Sequence, residues 1–260
     1  MPKMFSTERK NKIIDLLLKQ QRATVKELSQ LLNVSDATLR ADLNRLEEEG
    51  LIIRTHGGAM IDDSLRAEHN FSVREQKNRE EKMLIGNRAA ELIHDGQCIL
   101  LDASSTALEL ARTLKQKQIR LTVVTNGLYT AMELKDNPGI TVILIGGVLR
   151  IGCSALEGLL GASILNQINV DTMFTSASGF TLEDGLTDFN VYEVELKKAM
   201  INSASRVVAL LDHTKIGKSS IASFAKVPQI ETIITDRNTP DDIVEQLRKK
   251  QINVIIVEKA

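Results

Sequence analysis

Ser35-Asp-Ala-Thr-Leu-Arg-Ala-Asp-Leu-Asn-Arg-Leu46 is the run that decides the fold of the N-terminal part, together with Leu51-Ile-Ile-Arg-Thr-His-Gly-Gly58. In the first run, Leu39, Leu43 and Leu46 recur at the i, i+4, i+7 spacing of one apolar helix face. Ser35 precedes them as a favourable N-cap. The second run begins with apolar residues and ends in a glycine turn, so it predicts a short hairpin immediately after the helix.

Two further helices are predicted upstream. Ile13 and Leu17 mark the first, and Thr24 with Glu27 three residues later forms a capping box at the start of the second. Three helices followed by a hairpin are typical of a winged helix-turn-helix, with the wing at residues 54–58. A small helical bundle that serves dimerisation also fits the helices alone, and the hairpin is what favours the winged fold.

The face of the third helix opposite the leucines carries small or hydrogen-bonding side chains. Small residues let a helix lie close in the major groove, and Arg40 and Asn44 are suited to bidentate contacts with guanine or adenine. In the hairpin, Arg54 and His56 are placed to touch phosphate or the minor groove. The predicted DNA-contacting residues are Thr24, Ser35, Ala37, Thr38, Arg40, Ala41, Asn44, Arg45, Arg54, His56 and Gly57.

Composition limits how the chain binds a nucleic acid. The formal net charge is −1, and residues 1–58 hold ten Lys and Arg against eight Asp and Glu, so a DNA contact must be a local patch. Aromatic residues make up 3% of the chain, which argues against base stacking on single strands. No segment has the apolar length of a membrane span or signal peptide, and Cys98 and Cys153 form no CxxC pair. We therefore expect a cytoplasmic protein without a disulfide framework.

The rest of the chain alternates apolar runs with amphipathic segments, which predicts a mostly parallel α/β sheet covered on both faces. The predicted strands are Cys98–Leu101, Leu121–Thr125, 141–145, 172–176, 206–211, 232–235 and Asn253–Val257. The predicted helices are 106–115, 128–135, 156–167, 191–204 and 241–250, with a further charged helical segment at 72–94. The predicted domains are a DNA-binding domain at 1–60, a linker at 61–75 and an effector-sensing and oligomerisation domain at 76–260.

Ligands of such sheets bind at the carboxyl ends of the strands. Ser104, Ser105 and Thr106 follow the first strand and open a helix, where hydroxyl and backbone N–H groups suit a phosphate. Plain N-capping by Ser104 or Ser105 is the alternative. Candidate ligand contacts also follow the next three strands, namely Asn126, Gly147 and Gly179.

Four motifs closely resemble the DeoR family of bacterial transcriptional regulators. They are Arg9-(x3)-Ile13, Ser35-Asp-Ala-Thr38-Leu-Arg40-Ala-Asp42-Leu43, Glu49-Gly50-Leu51 and Arg54-Thr-His-Gly-Gly-Ala59. The resemblance covers nearly the whole chain and implies a sensor domain similar in fold to ribose-5-phosphate isomerase, which binds a phosphorylated sugar or related metabolite. It also implies that Asp42 orients neighbouring arginines. The family usually has glycine where Ser104 stands and threonine where Ala107 stands.

The same resemblance implies that Asp102, Glu195 and Lys215 are the charged ligand contacts, with Lys215 suited to a phosphate because it is a cation in a strand-end loop. The alternative is that each of these three residues is a solvated surface charge. Glu193, Lys197 and Lys198 lie near Glu195, at the start of the same predicted helix.

Together these features predict a repressor of a carbohydrate-utilisation operon whose binding to double-stranded operator DNA responds to a phosphorylated sugar. A homo-oligomer, dimer or tetramer, is expected because helix-turn-helix proteins usually bind two half-sites. No metal, cofactor or membrane partner is expected. One alternative is a sugar-phosphate isomerase with an appended DNA-binding domain, in which Asp102 or Glu195 is the base. Another is an oligomerisation module without an effector.

Overall fold

The structure is a computed structural model that describes residues 6–48, 52–60, 71–150 and 153–259. The chain divides into two compact units, with the boundary between Arg74 and Glu75. Within the described ranges, no helix is long and apolar enough to cross a membrane.

The N-terminal unit is a winged helix-turn-helix, as the sequence predicts. Its elements are α1 (Ser6–Gln20), β1 (Arg22–Thr24), α2 (Val25–Leu32), α3 (Asp36–Glu48), β2 (Ile53–Thr55) and β3 (Gly58–Met60). Strand β3 lies between β1 and β2 and pairs antiparallel with both. The sequence did not predict β1, because three residues are too few to show an alternating pattern.

The predicted apolar stripe forms the core of this unit. Leu39 and Leu43 of α3 are completely buried, as are Ile13 and Leu17 of α1 and Leu28 of α2. Each such side chain stabilises the fold by roughly 1.5–3 kcal/mol relative to an exposed one. The three helices are therefore held by the positions that the helical spacing identified.

A further helix, α4 (Phe71–Gln76), spans the boundary between the units. Of the predicted linker at 61–75, residues 61–70 lie outside the described residues, and the remainder belongs to α4. The helical segment predicted at 72–94 is divided, because Asn78 takes a left-handed conformation with φ of 52°. The Asn78 side chain donates hydrogen bonds to Asp212 and Thr214, and the backbone leaves the helical conformation at this residue.

The second unit is built on a seven-stranded sheet. Its helices are α5 (Arg79–Ala90), α6 (Ser105–Lys115), α7 (Leu128–Leu134), α8 (Val191–Ser203) and α9 (Asp241–Lys249). Its strands are β4 (Cys98–Leu101), β5 (Leu121–Thr125), β6 (Ile140–Leu144), β7 (Val148–Leu149), β8 (Leu156–Glu157), β9 (Val170–Thr175), β10 (Gly179–Thr181), β11 (Gly185–Asp188), β12 (Ala204–Leu211), β13 (Ala222–Ala225), β14 (Thr232–Asp236) and β15 (Asn253–Val257).

The main sheet has the order β15-β14-β12-β9-β4-β5-β6, and every pairing in it is parallel. This confirms the predicted fold class. Strands β10, β11 and β13 form a small antiparallel sheet, and β7 pairs with β8 as a hairpin.

Two apolar layers cover the faces of the main sheet. One packs α8 and α9 onto the sheet through side chains such as Val194, Met200 and Leu247. The other packs α5 and α6 through Ile85 and Leu110. The strand order reverses at β4, since β5 and β6 lie on one side of it and β9 on the other. Such a switch point forms a crevice at the carboxyl ends of the strands, where ligands bind.

The helix predicted at 156–167 is wrong. Leu156–Glu157 is strand β8, and Ala162–Asn166 forms only a short 3-10 helix. The cause is a close backbone approach, because a Cβ atom added to Gly161 would lie 2.4 Å from the carbonyl oxygen of Gly146. Helical spacing of apolar residues does not reveal a glycine of this kind. The bounds of the other predicted helices after residue 100 differ from the observed ones by one residue.

Candidate DNA-binding surface and effector site

The recognition helix α3 presents its predicted reading face to the outside. Ala37, Arg40, Ala41 and Arg45 are exposed, whereas Thr38 is half-buried. The hydroxyl of Ser35 accepts a hydrogen bond from the backbone N–H of Thr38 at 3.2 Å, so Ser35 caps the helix as predicted. The exposed face thus combines small residues with two arginines, as major-groove readout requires.

Thr24 caps α2 through a complete capping box. The backbone N–H of Thr24 donates to Glu27 at 2.7 Å, and the Thr24 hydroxyl accepts from the backbone N–H of Glu27 at 3.2 Å. The hydrogen bond from the Thr24 backbone lowers the pKa of the Glu27 carboxyl. The first role of Thr24 is therefore to start α2, and its hydroxyl is already engaged.

Two hydrogen bonds from Arg54 join the wing to the recognition helix α3. The Arg54 guanidinium donates through Nη1 to Oδ1 of Asn44 at 3.1 Å, and the Arg54 backbone N–H donates to Glu47 at 3.2 Å. Among the described residues, Nε of Arg54 is buried without a hydrogen-bond partner. His56 and Gly57 are exposed at the hairpin turn. Arg54 and Asn44 thus lie together, whereas the sequence assigned them to separate contacts.

A partly buried ion pair joins α1 to α3. Arg9 donates to both carboxylate oxygens of Asp42, and the Arg9 Nη2–Asp42 Oδ1 distance is 3.1 Å. Asp42 is only 3% exposed. Hydrogen bonding to Asp42 raises the pKa of Arg9 against the opposing effect of burial. In this structure the arginine that Asp42 holds is Arg9, and the pair fixes the helix that carries Arg40.

In the second unit, a buried charge cluster lies at the switch point of the sheet. Lys197 Nζ is 3.1 Å from Asp102, 2.8 Å from Asp188 and 3.9 Å from Glu193. Lys197 also donates to the backbone oxygen of Ser176 at 2.9 Å. Asp102 and Lys197 are 0% and 2% exposed, so their charges are almost completely removed from water.

Electrostatics keep Lys197 charged. Burial by itself would lower the pKa of Lys197, but attraction to Asp102, Asp188 and Glu193 outweighs burial and raises it. The ammonium also lies 4.7 Å from the centroid of the Phe224 ring, a distance at which a cation–π attraction contributes. One cation therefore holds three carboxylates, one after β4, one at the end of β11 and one on α8 itself.

The Asp102 carboxylate is fully engaged inside the protein. Its Oδ1 accepts from the backbone N–H of Ser104 at 3.1 Å. Its Oδ2 accepts from the Thr175 hydroxyl at 2.7 Å and from the backbone N–H of Ser176 at 3.0 Å. These bonds join the loop after β4 to the end of β9, so the geometry gives Asp102 a positioning role at the crevice.

The loops after β4 and β5 lie against each other. Ser104 caps α6 by accepting from the backbone N–H of Ala107 at 3.1 Å, and Ser105 and Thr106 are buried in the first turn. A Cβ atom added to Gly127 would lie 3.0 Å from Cα of Ala103. The beginning of α6 and the end of β5 thus form one wall of the crevice.

Asn126 is the unusual residue of this wall. Its side chain is completely buried, and its Nδ2 donates to the backbone oxygen of Leu156 at 3.1 Å. Within the part of the chain that the structure describes, its Oδ1 has no hydrogen-bond partner. Buried acceptors are rarely left unsatisfied in native proteins, so this oxygen points to a missing donor.

The remaining predicted contacts have local structural surroundings of their own. A Cβ atom on Gly147 would lie 2.5 Å from the backbone oxygen of Glu157, and one on Gly179 would lie 2.5 Å from that of Lys218. Close backbone packing accounts for both glycines. Lys215 is half-buried in the loop after β12. Burial acts to raise the pKa of Asp212, but a hydrogen bond from Thr214 and the charge of Lys215 help to lower it below its ordinary value. Glu195 is exposed, and the structure does not bring it to the cluster.

Lys197 and Asp188 are the residues that the sequence did not single out. One signal was available, since Lys197 stands between Val194 and Ile201 on the buried face of α8 at helical spacing. A lysine in an apolar stripe requires a buried counter-charge. Asp188 gave no such signal, because it ends β11 and reaches Lys197 only through the fold.

The two units define a class of protein: a winged helix-turn-helix with an exposed reading face, joined in one chain to an α/β domain with a polar crevice. Two family models match the chain, the DeoR-like helix-turn-helix domain over residues 9–65 and the DeoR C terminal sensor domain over residues 77–237. The chain therefore belongs to the DeoR family and is a DNA-binding transcriptional regulator.

Three relatives align over almost their whole length. The HTH-type transcriptional regulator GolR of Listeria innocua serovar 6a is 48% identical over 98% of this chain and 100% of its own. The HTH-type transcriptional repressor GlcR of Bacillus subtilis is 35% identical over 98% of both chains. The putative aga operon transcriptional repressor of Escherichia coli O157:H7 is 33% identical over 97% of this chain and 94% of its own.

Among solved structures, ribose 5-phosphate isomerase A from Methanocaldococcus jannaschii is similar with a TM-score of 0.42 and 19% identity. The similarity covers 55% of this chain and 56% of that one.

Proposed function

We propose that the protein is a repressor of a carbohydrate-utilisation operon and that a phosphorylated sugar modulates its binding to double-stranded operator DNA. Relatives over the full length include proteins named as repressors, one of them of an aga operon. An isomerase gains no support from these relatives, which are named as transcriptional regulators. The exposed arginines of α3 support the DNA part of the proposal, and the crevice supports the effector part.

The observation that carries the effector site is Oδ1 of Asn126, a buried acceptor for which the described residues supply no donor. A buried acceptor is stabilised by about 1–3 kcal/mol when a donor reaches it, and a sugar hydroxyl is such a donor. The adjacent first turn of α6 offers backbone N–H groups and the positive end of a helix dipole, which suit the phosphate of the same ligand. Lys215 supplies a cation from the loop after β12.

In this proposal the buried charge cluster around Lys197 fixes the positions of the loops that line the crevice. Asp102 and Lys197 hold the ends of β4 and β9 in register with α8, so the ligand meets preformed loops. Regulation further requires that the ligand bind differently to the DNA-competent and DNA-incompetent arrangements, because a ligand with equal affinity for both shifts neither.

A thermal-shift experiment with the full chain tests the effector site. The probes are a panel of pentose and hexose phosphates, with the unphosphorylated sugars and inorganic phosphate as controls. We expect at least one phosphorylated sugar to raise the melting temperature, because a ligand that binds only the native state stabilises it. The Asn126→Ala variant should lose this shift, whereas Asn137→Ala, at the opposite end of the sheet, should keep it.

Two results would overturn the proposal. One is that no member of the panel stabilises the folded wild-type chain. The other is sustained turnover of a pentose or hexose phosphate by the purified protein, which would establish the isomerase alternative instead.

A further inference from the structure

The sensor unit exposes apolar side chains mainly at one place. Six of them belong to residues between positions 132 and 160, and their exposed fractions run from 40% to 81%. We call these six residues the edge patch: Met132, Leu144, Val148, Leu149, Leu159 and Leu160. Monomeric soluble proteins rarely expose contiguous apolar patches larger than a few hundred Å².

The fold places these residues beside one another. Leu144 ends β6, the last strand of the sheet on this side, and the β7–β8 hairpin follows it directly. The turn that carries Leu159 and Leu160 lies against the start of the hairpin, because Gly161 contacts the backbone of Gly146. Helix α7, which carries Met132, packs on β6.

We propose that a second copy of this chain docks on the edge patch. The exposed surface of the six side chains is on the order of 600 Å², close to the roughly 800 Å² that each partner contributes to a standard protein interface. Six apolar side chains exposed side by side differ from the singly scattered apolar exposure of ordinary surfaces.

The low charge of the edge patch favours a second copy of this chain as the partner. Residues 139–160, which include five of the six patch residues, contain only two charged residues, Arg150 and Glu157. Glu157 is buried and accepts a hydrogen bond from Asn190, while the Arg150 guanidinium lies 4.6 Å from the centroid of the Tyr192 ring. A two-fold related copy would therefore bring apolar side chains together with little like-charge repulsion. A nucleic acid or a strongly charged protein finds no complement here.

The edge position adds a second reason. Strand β6 pairs only with β5 in the described sheet, so its outer backbone groups are available for a neighbour. A second copy is also what DNA recognition needs, since two half-sites require two recognition helices. The docking proposal is independent of the effector and goes beyond the proposed function.

The hairpin connects the edge patch to the crevice. The backbone N–H of Leu156 donates to the backbone oxygen of Asn126 at 2.8 Å, and the Asn126 side chain donates back to Leu156. Leu149 faces Leu156 across the hairpin. A ligand that moves Asn126 therefore acts on the strand pair that carries the docking surface.

Sedimentation velocity of the full chain without DNA tests the proposal. At micromolar concentration we expect the wild type to be a dimer or larger. Leu149→Glu and Leu160→Glu should each raise the dissociation constant at least tenfold, because each buries an unpaired charge in the interface. Met83→Glu and Ile256→Glu add the same charge at exposed apolar positions outside the patch and should assemble like the wild type.

A wild-type monomer at these concentrations would overturn the proposal, and so would patch variants that assemble like the wild type. Circular dichroism melts establish that the variants fold. Should a variant unfold, hydrogen exchange of the wild type decides, since amides of residues 144–149 must gain protection as concentration rises. The thermal-shift response to sugar phosphates tests the effector site separately, so either proposal can fail alone.

Discussion

The two units hold their charged side chains in opposite ways. In the N-terminal unit, the arginines of the proposed DNA-reading face, Arg40 and Arg45, are exposed on a helix. In the sensor unit, Lys197 and its three carboxylates are enclosed. An exposed charge is available to a partner, whereas a buried network fixes the relative positions of its own loops. The reading surface and the sensor frame are therefore expected to respond differently to mutation.

The largest expected effect is the loss of stability when the buried charge cluster around Lys197 is broken. Lys197→Met leaves three buried carboxylates without their cation, and we expect it to destabilise the sensor unit by about 3–5 kcal/mol. Urea unfolding followed by circular dichroism measures this loss. Lys198→Met removes the same charge from an exposed neighbour on α8 and should cost less than about 0.5 kcal/mol. Equal effects of the two substitutions would show that the cluster does not frame the crevice.

The contribution of Lys197 has a definite pH dependence. The raised pKa of Lys197 means that its stabilisation is fully present below the unfolded pKa of about 10.4 and is lost only as pH rises through the folded value. The difference in unfolding free energy between the wild type and Lys197→Met should therefore stay constant as pH rises from about 7 to about 9. A difference that shrinks over this interval would contradict the raised pKa of the buried lysine.

The ion pair between Arg9 and Asp42 in the N-terminal unit gives the next largest effect. Asp42→Asn removes the charge that Arg9 binds, and we expect a loss of about 2 kcal/mol in the stability of this unit. Asp36→Asn in the exposed first turn of the same helix is the matched control. Thermal melts of both variants measure the difference. Indistinguishable melts would mean that the Arg9–Asp42 pair does not hold α1 to α3.

The exposed face should show the reverse behaviour, with an effect on DNA and none on folding. Arg40→Ala is expected to weaken operator binding by about 1–3 kcal/mol and to relax base preference, because a bidentate base contact is lost. Fluorescence anisotropy with operator and mismatched duplexes measures both. Lys249→Ala, which removes an exposed charge from the sensor unit, should leave binding unchanged. Unaltered affinity and preference in Arg40→Ala would remove Arg40 from the base-reading residues.

The smallest expected effect concerns a cap. Thr24→Ala removes the side-chain acceptor of the α2 capping box and should destabilise the N-terminal unit by about 1 kcal/mol. Lys26→Ala at an exposed position of α2 is the control. A shift in melting temperature for Thr24→Ala that does not exceed the control would show that the capping box adds nothing measurable.

The share of the fold that could be predicted from the sequence differs between the two units for a physical reason. The winged helix-turn-helix rests on local patterns, the leucine spacing of α3 and the capping box at Thr24, and the structure contains both. The strands of the sheet were also readable, because they are continuous apolar runs. The helix predicted at 156–167 failed because a glycine contact with a distant loop decides that segment.

The site residues divide in the same way. Asp102 and Asn126 were found because each directly follows a predicted strand, and strand ends meet at one edge of a parallel sheet. Lys197 with Asp188 was missed, since their pairing depends on the small β10-β11-β13 sheet, whose register no local pattern specifies. Glu195, chosen by resemblance, lies exposed two positions before the lysine that enters the cluster.

We propose that a ligand in the crevice of the sensor unit controls DNA binding by the winged helix-turn-helix. The most direct test is an anisotropy titration of the full chain on a labelled duplex from upstream of the genes next to its own, with and without each phosphorylated sugar that stabilises the protein. We predict that at least one such sugar changes the DNA dissociation constant tenfold or more, equivalent to about 1.4 kcal/mol of coupling. A chain that binds both the duplex and the sugar, with the two affinities independent of each other, would contradict the account.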